Sequence, residues 1–292
     1  MLKDVFQKHN IEYFAVLPYA VAKPFLKNVR AVSRIPENAK SIVVALFPYL
    51  VDEQEDANIS AYAVVEDYHK VVPDILEDIG REIQEKRGGS FAVFTDNSPF
   101  PEVALAALGK LGKIGDNSLL INDKYGSYTF IGEIVFDIEF PEEQRIELSH
   151  IGANLISSID EKHRETLFLS DCKTCSNCKK ACPGGVCGKA ERDNCASFVS
   201  QKKGELSESE KELIKRSGLV WGCDICQTVC PKNKNAAKTP IERFRENTVF
   251  SVSESTADTL SKERAFGFRG SAVIKRNISV LSENKKKGEP EK

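Results

Sequence analysis

The sequence of 292 residues contains no long apolar run. Its longest, SIVVALFPYLV at residues 41–51, is too short to span a bilayer and contains Pro48, so no membrane-spanning segment is expected. The N-terminal stretch MLKDVFQKHNIEYF is charged and lacks the apolar region of a secretory signal, and no twin-arginine signal is visible. A cytoplasmic location follows as the expectation. In a reducing compartment the nine cysteines are not expected to form disulfides, which leaves metal binding as their use. There is no internal repeat beyond a duplicated cysteine motif, and no dense Arg–aromatic patch. With 41% hydrophobic and 29% charged residues, what remains is a globular chain large enough for one sizeable domain or two modest ones.

The net charge of −2 conceals an asymmetry. Residues 1–169 carry 17 Lys and Arg against 27 Asp and Glu, whereas residues 170–292 carry 24 against 16. The basic second part is the candidate face for a polyanion, although a solvated lysine-rich surface explains the same numbers. Three regions are expected: 1–169, 170–250 and 251–292.

The first region reads as mixed α and β. A helix over LKDVFQKHN leads to a strand, EYFAVL; SIVVALF (41–47) is a buried strand. Residues 60–87 show helical spacing at Val64, Val71, Ile75, Leu76, Ile79 and Ile83, with a break or kink predicted at Pro73 and a stop at Gly88-Gly89. FAVF (91–94) is a further strand, TDNSPFPE a polar turn, and residues 101–111 a helix. SLLIN and SYTFIGEIVFDIEF, around the turn DKYG, read as a hairpin. Residues 150–169 connect to the cysteine-rich region. There, ELSESEKELIKRSG is a solvated helix in which Ser207 and Glu210 match a capping box. The terminal ENKKKGEPEK is expected to be disordered.

The run Cys172-x2-Cys175-x2-Cys178-x3-Cys182-Pro183 has the spacing of a bacterial ferredoxin site for a [4Fe–4S] cluster. One loop can wrap a small cube only if its thiolates are this close, and the fourth cysteine ligates the neighbouring cluster. The second run, Cys223-x2-Cys226-x3-Cys230-Pro231, lacks one cysteine, which Cys195 can supply. By this crossed logic one cluster takes Cys172, Cys175, Cys178 and Cys230, and the other takes Cys182, Cys195, Cys223 and Cys226. Cys187 is left over and reads as a spacer. Two zinc sites are the plainer alternative, but zinc sites seldom use this spacing. Clusters with interlocked ligands pass electrons to each other, and the acidic α/β region in front is more than an electron carrier needs.

Several stretches occur in the order of one known family: EDYHKVV (66–72), FTDNSPFPEVALAALGKLGKIGDNSLLIN (94–122), YGSYTFIGEIVFDI (125–138), the first cysteine run, CAS (195–197) and WGCDICQTVCP (221–231). Together they resemble epoxyqueuosine reductase, the cobalamin-dependent iron–sulfur enzyme that completes the queuosine modification of tRNA. The resemblance implies an α+β fold: an N-terminal cobalamin domain related to nitroreductase and B12-processing folds, then a ferredoxin-like domain with two [4Fe–4S] clusters. It implies base-off cobalamin facing the clusters, low-potential electrons from a flavodoxin- or ferredoxin-type donor, a tRNA substrate and a monomer. Asp96 in FTDNSP matches the family's proton donor, which needs a raised pKa, reachable by burial against the cofactor. Read without the family, Asp96 is a turn or helix-capping residue near Pro99. Ser197, Cys223 and Asp224, Asn117 and Ser118 after GKLGKIG, and Tyr68 and His69 of D-Y-H match positions near the corrin; a lone helical His is more often structural.

The chain also departs from the family pattern. SQKKGEL (200–206) stands where the family has T-I-E after C-x-S, and the part before D-Y-H is shorter. Of the family's C-terminal helical-repeat region only GFRGSAVIKRNISVL (267–281) resembles the first helix, so the grip on tRNA is expected to be weaker or made differently. Two other functions fit the motifs: a corrinoid iron–sulfur reductase of a small molecule, and a ferredoxin-type carrier without corrin.

Overall fold

A computed structural model describes residues 1–52, 54–140 and 167–287. Its strands are β1 (Phe14–Pro18), β2 (Ser41–Pro48), β3 (Phe91–Thr95), β4 (Lys113–Ile114), β5 (Leu120–Ile121) and β6 (Thr129–Phe136). Four of them form an antiparallel sheet in the order β1-β2-β6-β3, and β4 pairs with β5. β2 is buried along its whole length because both faces of the sheet are covered. Helices α1 (Leu2–Lys8) and α2 (Tyr68–Arg87) lie on one face, where Val71, Leu76 and Ile79 of α2 join Val43, Ala45 and Ile134 in one core. On the other face α3 (Glu102–Leu108) brings Leu105 and Ala106 onto Ile42, Val44 and Val135. Each of the Val, Leu and Ile side chains among these, fully buried, contributes about 1.5–3 kcal/mol against remaining exposed.

Two expectations need correction. The helical pattern of residues 60–87 is interrupted at residues 65–67, between a single turn (Ala61–Val64) and α2, and the helix runs unbroken through Pro73. Asp67 starts α2 by accepting the His69 backbone N–H at 3.0 Å. Pro73 lies in the second turn, so it forfeits one early helical bond, and the buried face of α2 outweighs that loss. The hairpin forms only at its tip, where Asn122 and Gly126 exchange backbone bonds of 2.8 and 2.9 Å. Beyond it β5 turns to β4, while β6 enters the main sheet and gains an eight-residue ladder with β2. The Asn122 carboxamide fixes the tip by accepting from Lys124 and Tyr125 N–H and donating to the Leu111 carbonyl at 2.7 Å.

The cysteine-rich part consists of short helices: α4 (Cys172–Cys175), α5 (Asn177–Ala181), α6 (Ala196–Ser200), α7 (Glu208–Ser217) and α8 (Ile225–Thr228). The capping box at Ser207 and Glu210 forms as expected. α9 (Ser271–Lys287) includes residues 283–287 of the tail expected to be disordered; residues 288–292, and all but the last three of the connecting residues 150–169, lie outside the described residues.

Two features join this part to the sheet. Ile59, Ala63 and Val64 share a core with Trp221, Phe266 and Ile274. The Gln227 amide donates to Tyr49 Oη (3.2 Å) and Ser127 Oγ (3.0 Å), and Asn233 donates to Ser127 Oγ (2.8 Å) while accepting the Ser127 N–H (2.8 Å), all in the interior. Gly126, at φ 57°, is obligatory here because a Cβ would sit 2.2 Å from Asn233 Oδ1. On α9, fully buried Asn277 donates to the carbonyls of Ser200 and Val220, both at 2.8 Å. Asn277→Leu leaves the Val220 carbonyl without its partner and the Ser200 carbonyl with only a 3.5 Å bond from Arg276, and is expected to cost about 1–3 kcal/mol, read as a lower urea midpoint at unchanged slope.

Candidate functional site

A cavity of about 730 Å3 opens where the sheet edge, the start of α2 and the cysteine loops meet. Every residue expected near a cofactor lines it: Tyr68, His69, Asp96, Asn117, Ser118, Ser197, Cys223 and Asp224. They come from five separate stretches of the chain. Tyr68 and His69 start α2; Asp96 follows β3; Asn117 and Ser118 lie in the turn between β4 and β5; Ser197 is on α6; Cys223 and Asp224 precede α8.

Asp96 takes a left-handed conformation, φ 59°, at the end of β3. Its Oδ2 lies 3.4 Å from His69 Nε2, and the other ring nitrogen, Nδ1, is 2.7 Å from Asp67 Oδ1. Hydrogen bonding to His69 holds the Asp96 carboxyl below the usual carboxylate range, against burial and with help from Tyr68. The charged ring beside Asp96 favours its carboxylate. Burial disfavours a charged imidazole, but Asp67 and Asp96 outweigh it and lift His69 to about 9. At neutral pH the proton of this pair resides on His69.

The His69 pairing adds stability that is complete below the ordinary histidine value of 6.5 and is lost as pH rises through about 9. The depressed Asp67 and Asp96 add stability that is present above 3.8 and lost as pH falls through their lower folded values. Ring NMR is expected to show His69 titrating near 9, and Asp67→Asn and Asp96→Asn are each expected to lower that value. An unshifted His69 in both variants would contradict the geometry.

Tyr68 is stacked between His69 (4.0 Å) and Phe130 (4.1 Å), and burial pushes its phenol and those of Tyr49 and Tyr62 far up, so all three stay neutral. Asp224 is engaged by the backbone N–H of Ala61 at 2.7 Å. The amide nitrogen of Asn117 is buried without a partner. A large ring cofactor fits this wall: flat apolar surface from Phe130, Val186 and Ile225, with an unused donor from Asn117 and hydroxyls from Ser118 and Ser197.

Of the cysteines, Cys182, Cys195, Cys223 and Cys226 line the cavity, as does Cys187. Cys223 feels the charges of Cys195 and Cys182, and Cys226 those of Cys223 and Cys195. Cys172 feels Cys178 and Cys230. Sulfurs far apart in sequence thus act on one another, but Cys226 also feels Cys178, so these couplings do not sort the thiols into two sets. Burial pushes the Cys223 thiol up to about 11 and Cys226 up to about 12, so they shed protons only to a cationic centre. Burial also opposes ionisation of Cys182, but backbone N–H groups of Val186, Gly184, Cys187 and Gly185 bring it below an ordinary thiol. Cys187 contacts Cys178 and lies closer to the ligand set than a spacer need be.

Residues not singled out from sequence also reach the cavity. Gln227, Tyr49 and Ser127 form its floor, and Lys189, Arg192 and Phe268, 58% exposed, stand along its lining. Phe268 carries the Arg269 guanidinium 4.6 Å over its ring. A lone phenylalanine and scattered basic residues give no periodic signal, so only the fold reveals them.

Residues 30–97 match the family model described as epoxyqueuosine reductase QueG, DUF1730, and residues 171–233 match that of a 4Fe-4S double cluster binding domain. An epoxyqueuosine reductase of Leadbetterella byssophila is 31% identical over 267 residues, 86% of this chain and 80% of the relative. One from Lactococcus garvieae is 31% identical over 58% of this chain, which spans only 42% of that relative's length. Among solved structures, epoxyqueuosine reductase of Streptococcus thermophilus superposes with a TM-score of 0.73 at 21% identity, over 97% of this chain and 80% of the other. An epoxyqueuosine reductase bound to an epoxyqueuosine-modified tRNA-Tyr stem loop gives 0.72 at 19% identity, over 96% and 80%. These structures establish a shared mixed helix–sheet fold. With the relative alignments and both family models, they show that this chain belongs to the epoxyqueuosine reductase family.

Proposed function

We propose that the protein reduces epoxyqueuosine to queuosine in tRNA, using cobalamin in the cavity and two [4Fe–4S] clusters in the cysteine loops. The observation that carries this reading is the convergence of the Asp67–His69–Asp96 chain and the Cys182, Cys195, Cys223 and Cys226 thiols on one cavity. Cys172, Cys175, Cys178 and Cys230 would hold the outer cluster, and Cys182, Cys195, Cys223 and Cys226 the inner one. The first region then serves as a cobalamin domain of nitroreductase-like shape, and the cysteine-rich region as a ferredoxin-like domain.

Removing an epoxide oxygen as water takes a pair of electrons and a pair of protons. Cobalamin, when bound, supplies the low-potential metal chemistry at the carbon. The chain's own part is to position and protonate. Asn117, Ser118 and Ser197 offer hydrogen bonds to the polar rim of the ring, and Tyr68 and Phe130 present flat apolar surface. His69 stores a proton beside Asp96, and Asp96 carries it to the departing oxygen as the first of the two protons, the second coming from solvent water. Asp67 keeps the His69 ring oriented and the proton close at hand. Lys189 and Arg192 supply positive charge for a polyanion, and Phe268 an exposed ring for a base to stack on. Electrons enter from a flavodoxin- or ferredoxin-type donor, and the protein works as a monomer. No helix among the described residues is long and apolar enough to cross a membrane.

The test is anaerobic reconstitution with iron, sulfide and cobalamin. A base-off Co(II) EPR signal beside the cluster signals is expected, with conversion of epoxyqueuosine in a tRNA stem loop under a low-potential reductant. Absence of corrin binding would leave only an electron carrier; binding without turnover on the stem loop would point to a small-molecule substrate.

A further inference from the structure

One buried acid takes no part in the chemistry above. Glu133 lies in the middle of β6, opposite Val44 of β2 and Phe94 of β3. It is fully buried, and neither carboxyl oxygen makes a hydrogen bond of normal geometry. Val44 and Phe94 belong to the core under α3, so Glu133 points toward that helix. The polar groups that act on it there are Glu102, the Ser98 hydroxyl and Lys27.

Glu102 is the first residue of α3, and its charge acts on Glu133. Its Oε1 accepts the backbone N–H of Asp96 at 3.1 Å. That N–H belongs to the left-handed residue of the turn, whose next member, Asn97, bonds back to the Thr95 carbonyl at 2.7 Å. From the other side Lys27 donates its backbone N–H to the Pro99 carbonyl at 2.8 Å and its ammonium to the Ser98 carbonyl at 3.4 Å. The groups facing Glu102 are thus Glu133, Asp96 and Lys27; those facing Asp96 are His69, Tyr68 and Lys27. A single lysine cannot compensate two carboxylates in this space, so they divide the charge. Burial holds the proton on Glu133, while burial and the Asp96 charge, against Lys27, raise Glu102 to about 7.

We propose that Glu102 and Glu133 are a buried positioning pair for Asp96: Glu133 stands behind Glu102 within the sheet, and Glu102 clamps the left-handed turn that presents Asp96 to the cavity. As Glu102 ionises, its oxygen becomes the stronger acceptor and the turn tightens; acid loosens it. The functional consequence rests on the reading of Asp96 as the proton-delivering group.

Three measurements on the full-length, cofactor-loaded protein test this: amide exchange of Asp96 by NMR, the carboxylic-acid C=O band in the infrared, and turnover against pH. Glu102→Ala is expected to speed exchange of the Asp96 amide about tenfold and to lower kcat with little change in KM. Glu102→Gln, which keeps an acceptor without a charge, is expected to give intermediate exchange that no longer varies with pH near neutrality. In mildly alkaline buffer the protonated-acid band persists in wild type and in Glu102→Gln and disappears in Glu133→Gln. Unchanged Asp96 exchange in Glu102→Ala, or no such band in the wild type and Glu102→Gln, overturns the proposal. Exchange and the infrared band decide it even if Asp96→Asn stays active, an outcome that removes the reading of Asp96 instead.

Discussion

Asp96→Asn is expected to lose turnover by about 10²–10⁴-fold, the usual contribution of a positioned general acid, while keeping both clusters and the corrin. The substitution preserves size and leaves the backbone turn in place, so binding should survive. What disappears is a carboxyl able to pass on the proton held by His69 Nε2, 3.4 Å away. Among the described residues His69 would then retain Asp67 as its acidic partner, and its titration should fall below about 9 in the same variant. The two readouts must move together: activity because the acid is missing, the imidazole because its partner is. Turnover within about threefold of wild type would show that another group, with neutral Tyr68 the nearest in kind, delivers the proton.

Cys230→Ala is expected to remove the outer cluster, cutting iron and sulfide per chain by about half, although Cys230 is remote in sequence from the run it completes. In the fold Cys230 follows α8 closely enough for its charge to act on Cys172. Cluster binding free energy is also folding free energy, so the variant should unfold at lower temperature than wild type when both are handled anaerobically. Cys187→Ser provides the contrast, with full iron content, since eight other cysteines complete both sets. Full iron in Cys230→Ala, or a loss in Cys187→Ser, would break the crossed pairing and bring Cys187 into the ligand set.

The cysteine spacing was readable in the sequence because a cluster imposes short, fixed intervals on a loop. The buried strand β2 was readable for a similar reason: a β-branched run has few other places to go. The partner of β6 was not. A tight turn before it suggests a hairpin, and only the ladder offered by β2 decides otherwise. Pro73 misled because its effect depends on how far it stands from the helix start, and that start was set by Asp67. At the site, family likeness picked out residues that share one cavity, but their electrostatics were not legible. The proton sits on His69 because Asp67 and Asp96 flank its ring, and nothing in the sequence places Asp96 against α2. Glu133 gave no signal either, since one acid in a strand pattern ordinarily reads as solvent-facing.

The Tyr49–Gln227–Ser127–Asn233 bonds and the apolar packing of Ile59 and Val64 on Trp221 limit how this chain can be divided. Cutting it ahead of Cys172 would yield no two self-sufficient modules, because each piece would expose half of a polar lattice and half of a hydrophobic interior. Damage should spread the same way. An oxidant that dismantles the clusters would loosen the loop carrying Gln227 and Asn233, and with it the floor of the cavity. Loss of iron would then be felt as loss of affinity for whatever the cavity holds, which makes oxygen exposure a form of ligand release.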